Sequence, residues 1–138
     1  MDPEMSLRVV LGVAAGGAVG AVLRFLLDRY LRAGILLANV LGCLVLGYLF
    51  GELTWLAENG GAPGGAVLTA LLSETGSTVL AIGALGALST FATVSVRVAQ
   101  TWMAGRQLRA AGIWVAHVGL GFAAAAAGIA LSRISGLY

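Results

Sequence analysis

Arg24, Asn39, His117 and the hydroxyl residues Ser89, Thr90, Thr93 and Ser95 all lie inside long apolar stretches, where polar groups are costly. His117 is the only histidine, and no carboxylate or nucleophile stands beside it. No acid, base and nucleophile converge, so the chain does not read as an enzyme. What these residues can do is recognise ions. A guanidinium attracts anions, and amides and hydroxyls can donate hydrogen bonds to them. The single cysteine, Cys43, cannot form an intrachain disulfide, and no Cys/His spacing suggests a metal site.

The elements that must carry these residues follow from composition. Hydrophobic residues are 59% of the 138 and charged residues 10%, against about 25% charged in soluble domains. So few charges cannot build a water-facing surface, and most of the surface must face a lipid bilayer. A span needs roughly 20 apolar residues. The chain holds four, over residues 7–30, 35–57, 78–103 and 113–131, as a single all-α transmembrane domain over 1–138. The acidic start before Arg8 and the long first apolar run read as a retained span and not a secretory signal. Residues 58–65 (ENGGAPGG) form a Gly/Pro loop, Val67 to Leu72 a short interfacial helix, and Gly105 to Arg109 the last turn. Trp55, Trp102 and Trp114 fall near span ends, as in aromatic belts. A net charge of +2, with no basic cluster, gives no nucleic-acid face.

Each polar residue has a plain alternative. Arg24 lies one turn from Asp28 and could pair with it or snorkel to the interface. Asn39 could hydrogen-bond a neighbouring helix or face a pore. Gly12, Gly16 and Gly20, and then Gly47 and Gly51, make ladders that let helices approach closely in any bundle. The third span is the most informative. Residues 83–93 (GALGALSTFAT) mix glycines, β-branched threonines and hydroxyls. Such a stretch is weak as helix, which predicts a third helix broken near its middle. Irregular backbone at membrane depth must be buried or line a cavity, where its freed carbonyls can bind a cation and its freed N–H groups an anion. The alternative is hydroxyls bonding back to their own helix.

Together these residues resemble the CrcB/Fluc family of fluoride channels over most of the chain. Residues 16–24 (GGAVGAVLR) resemble its GGxxGAxxR first-helix motif. Asn39-Val40-Leu41-Gly42 resembles its NxxG motif, and residues 86–94 (GALSTFATV) its GGxTTFSTF signature. The resemblance implies a dual-topology dimer of two antiparallel subunits, with two pores along their interface. It implies a structural Na⁺ at the dimer interface on backbone oxygens of the broken helix, here Gly86 and Ser89. Fluoride would pass Phe91 and Thr93 beside Thr90, Asn39 would line the pore, and Arg24 would stand at its mouth. The implied role is passive export of cytoplasmic fluoride, which reduces fluoride toxicity, from a multi-pass position in the cell inner (plasma) membrane.

The chain departs from this pattern. Val94 stands for the second signature phenylalanine, Ala92 for the serine, and Arg97 for a glutamate. His117 and Gly121 stand for a serine and a threonine on the fourth helix. Arg29, Arg32, Arg106 and Arg109 lie on one side, and Arg8 and Arg133 on the other. Arginine excess marks the cytoplasmic side, so one fixed orientation is favoured. A chain of fixed orientation needs an oppositely inserted partner, which makes the second subunit a paralogue in a heterodimer; a divergent homodimer is the other explanation that fits. Two other functions compete. A small proton-coupled multidrug exporter would need a carboxylate deep in the first span, where this chain has Arg24. A non-conducting partner subunit would use the polar third span as helix glue.

Overall fold

Backbone N–H and C=O groups have no water to bond in hydrocarbon, so an open-ended chain crosses it as helix. The computed structural model describes residues 3–59, 73–89 and 91–135, and contains no strand among them. Helix α1 covers Pro3–Tyr30 and α2 covers Gly34–Asn59. The third span is assembled from pieces: α3 (Glu74–Thr78), a π-helical stretch (Val79–Leu85), α4 (Gly86–Leu88) and α5 (Phe91–Met103). Helix α6 (Gln107–Ser135) closes the fold. Four segments are long and apolar enough to cross a membrane: Leu7–Tyr30, Gly34–Glu58, Gly76–Met103 and Gln107–Ile134.

The third span breaks where the sequence is weakest. Ser89 is extended, at φ −80° and ψ 144°, although its N–H still donates to the Leu85 carbonyl at 2.9 Å. Ahead of the break the helix is already loosened. The N–H of Gly86 reaches back five residues to the Ala81 carbonyl and is shared with that of Gly83. Such π-type bonding is rare and tends to occur at functional sites. Thr90, expected in the anion path, lies outside the described residues, as does the interfacial helix expected at Val67 to Leu72. The hydroxyls after the break behave as the alternative reading has it. Ser95 donates to Phe91 O at 2.9 Å and Thr101 to Arg97 O at 2.7 Å, each within its own helix.

Small residues set the packing. The glycine face of α1 lies on the π-helical stretch and α4. A side chain at Gly20 would fall on the Ala84 carbonyl, with Leu88 N at 3.1 Å. In return Gly83 leaves room for the Val13 carbonyl, 2.8 Å from where its Cβ would be. Helix α2 packs most extensively on α6, with Gly47 against the Ala125 backbone and Gly128 against that of Leu44. Outside these seams the surface is apolar and bare. In α1 only Gly20 is buried among the described residues, while Val10, Leu11, Val19, Val22 and Phe25 are more than half exposed.

The last helix begins at Gln107, six residues before the expected start at 113, and the turn is shorter than Gly105 to Arg109. Gly105 ends α5 with φ +75°. Its N–H donates to Trp102 O at 2.9 Å and that of Arg106 to Thr101 O at 3.1 Å, a Schellman stop. Helix restarts at once because Gln107, Leu108 and Arg109 are good helix formers. Charge keeps a residue out of the hydrocarbon, not out of a helix. One cross-link ties the two halves together: Arg97 Nη2 donates to both oxygens of Asp28, at 2.9 and 3.2 Å.

Two measurements check this packing. Gly17 faces only Gly83 O, at 3.9 Å, so Gly17→Ala should be neutral or gain up to about 1 kcal/mol of stability in detergent. Gly20→Ala, one turn further on, should lose about 1–3 kcal/mol through overpacking. Asp28 and Arg97 are 41% and 47% exposed, so a double-mutant cycle with Asp28→Asn and Arg97→Gln should give a coupling of about 0.2–1 kcal/mol.

Candidate functional site

The break at Ser89 turns α5 away from the line of α4, and a cavity of about 320 Å³ opens beside it. Asn39 and Cys43, one turn apart on α2, supply one wall. Ser89, Phe91 and Val94 supply the second. The third wall is a stripe of α6, Trp114, His117, Val118, Gly121, Phe122 and Ala125, at the three- and four-residue spacing of one helix face. Gly42 keeps the floor low, with Ser89 Cβ 3.3 Å from where its own Cβ would be. Phe91 is 73% exposed and Val94 is buried.

A second cavity, of about 500 Å³, lies toward the turns. It is lined by Arg32, Ala33 and Leu36 from the start of α2, by Arg97 of α5, and by Arg109, Gly112, Ile113 and Ala116 of α6. His117 lines both cavities. Its position, ten residues into α6, is about 15 Å along the helix axis at 1.5 Å per residue. Its Nδ1 lies 2.8 Å from the Ile113 carbonyl. Its Nε2 is buried and has no hydrogen-bond partner among the described residues. Three guanidiniums therefore surround the wider outer space, while the inner one offers an amide, hydroxyl, thiol, imidazole and aromatic edges.

Of the residues singled out from sequence, the fold gathers Asn39, Ser89, Phe91, Val94 and His117 around one cavity. Arg24, Thr93 and Gly86 do not line it. Arg24 is half-buried on α1, and the ion pair with Asp28 that its spacing allowed does not form, because Arg97 of α5 takes that carboxylate. Thr93 is partnered elsewhere. Trp114, two turns into α6, lines the cavity wall as well. The sequence reading missed Arg32, Arg97 and Arg109 as one group. The first and last were counted only as charge in the turns. Arg97 comes from another helix, and no spacing in the chain announces that the three meet.

Comparison with known proteins covers the spans that carry these residues. Residues 11–129 match the family model described as CrcB-like protein, Camphor Resistance (CrcB). A protein of Stutzerimonas stutzeri named fluoride-specific ion channel FluC is 34% identical over 137 residues, covering 93% of this chain and 99% of its own length. One of the same name from Phenylobacterium zucineum is 36% identical, with 92% and 97% covered. A third, FluC 2 of Halobacterium salinarum, is 35% identical over 83% of this chain. A family match across nearly all of the four spans, joined to relatives aligned almost end to end, places the chain in the CrcB family.

Proposed function

We propose that this chain is a subunit of a channel that lets fluoride leave the cytoplasm passively, a transport protein and not an enzyme. The observation that carries this reading is the inner cavity at the break of the third span. Anions need donors and positive edges, and the cavity supplies the Asn39 amide, the Ser89 hydroxyl and the edge of Phe91, where the ring quadrupole is positive. The names of the aligned relatives supply the ion. Fluoride enters cells as neutral HF and ionises there, so a passive pore suffices to release it down the membrane potential. The drug-exporter reading loses ground, since Asp28, the carboxylate nearest the first span's interior, is tied to Arg97.

The pore requires a second subunit. In the lone chain α1 is bare, Phe91 and Phe122 are 73% and 80% exposed, and the cavity has no outer wall. An antiparallel partner would cover these faces within the inner (plasma) membrane. A structural sodium ion at the interface fits the donors at hand. Na⁺ is a hard cation that takes oxygen ligands, and the extended Ser89 interrupts the ladder that would otherwise use the carbonyls around Gly86 and Ser89. Each subunit would give half of the donor set, and the ion would bridge the two breaks. The arginine bias across the spans supports one fixed orientation and hence a paralogous partner.

Fluoride efflux from liposomes, read with a fluoride electrode, tests conduction. Efflux should appear with the assembled dimer and fall about tenfold in Phe91→Ile, the loss of an aromatic edge worth roughly 1.4 kcal/mol. Its absence from every preparation would overturn the channel reading. Expressing the chain alone tests the partner. The expected outcome is no stable conducting dimer until a paralogue is co-expressed, and a stable dimer with efflux from this chain alone would establish the homodimer.

A further inference from the structure

We propose that His117 is a proton-dependent anion contact at the join of the two cavities, passing fluoride well only when its ring is protonated. This deepens the channel reading and rests on it. The Ile113 carbonyl can only accept a hydrogen bond, so the Nδ1 atom 2.8 Å away must carry a hydrogen. In the neutral ring Nε2 is then a bare lone pair. That atom is buried, and no donor among the described residues meets it. A lone pair on a residue shared by two anion-attracting spaces repels an anion. One proton reverses the sign and turns Nε2 into a charged donor, the stronger kind of hydrogen-bond partner for an anion.

The surroundings say when that proton is held. From α2 and the turn before it come Cys43, on the inner side, and Arg32, on the outer. From α5 comes Arg97, already paired with Asp28, and from α6 itself comes Arg109. No carboxylate among the described residues lines either cavity. An imidazolium placed among guanidiniums lacks a counter-ion until an anion arrives. Proton and anion therefore favour each other's binding at this position, and by linkage the coupling is reciprocal. Acidification, by favouring the protonated ring, would therefore open this contact. The serine that the family pattern puts here could not respond in that way.

Two readouts test the proposal on the full chain, in whichever dimer conducts. In planar bilayers, which register the anion and not neutral HF, fluoride current should rise about tenfold from about pH 8 to pH 6. In His117→Gln, which keeps an amide donor but cannot titrate, the current should persist with a flat pH profile. Equal wild-type currents at the two pH values, or an unchanged pH profile in His117→Gln, would overturn the proposal. Because His117 is the only histidine, its ¹⁵N imidazole signals can be followed without assignment in nanodiscs. Fluoride, but not chloride, should raise the titration midpoint, and a midpoint indifferent to fluoride would also overturn it. A fluoride-shifted midpoint without current at any pH would sustain the contact and count against conduction.

Discussion

The structure depends on how backbone is kept satisfied where the third span stops being a helix. In hydrocarbon an unpaired N–H or C=O costs several kcal/mol, so an extended residue at Ser89 is tolerable only under close cover. That cover comes from glycine. The ladder of α1 does not meet a sound helix. Gly12 and Gly16 meet Val79, and Gly16 and Gly20 meet Ala84, so the ladder spans the π-helical stretch and ends at α4. Gly42 of α2 closes on Ser89 from the other side. Sequence features that could belong to any tight bundle are spent here on the segment with the weakest ladder.

The rest of the bundle shows a division of labour. Helices α2 and α6 are joined along a seam of small residues that runs from Gly47 and Ala125 to Gly51 and Ser132. That pair forms one closely packed wall. Helix α1 and the first half of the third span form a second unit, also held by glycine. Helix α5 belongs to neither seam. It leans on α6 and is tied at its middle to the end of α1 through Arg97 and Asp28. The cavity sits between that wall and the helix that follows the break, so its shape is a consequence of the break. A continuous third helix would carry Phe91 along the axis of α4, away from the wall formed by Asn39 and His117.

How much of this was legible in the sequence varies with the kind of physics involved. Spans follow from apolar length, and the break from a local run of glycine, threonine and serine, so both could be read along the chain. The family motifs brought Asn39, Ser89 and Phe91 forward, and these do meet. The failures share one cause, which is that lateral contacts have no local code. Arg24 and Asp28 have ideal helical spacing, yet the carboxylate is taken by Arg97, 69 positions later. The last helix starts earlier than its apolar run, because arginines end an apolar stretch and not the helix that carries it. The outer cavity draws on the first and second spans' turn and on two further helices, and such a meeting exists only in three dimensions.

The placement of charge along the proposed path follows from what a conducting site must avoid. An ion has to be held well enough to shed its water and loosely enough to move on. Of the two cavities' described lining residues, the guanidiniums belong to the outer one, where they can raise the local anion concentration. The smaller inner cavity has no arginine among its described lining residues. It relies on weaker partial charges: an amide, a hydroxyl and ring edges. Val94, where the family pattern has an aromatic ring, removes one of those edges and lightens the inner hold further. His117 stands at the boundary between the two regimes, and it alone among the lining residues can belong to either, neutral with the inner wall or charged with the outer one. A fixed positive charge at that point would deepen the well between the two cavities. A charge that arrives only with a proton would leave the well shallow whenever the proton is absent.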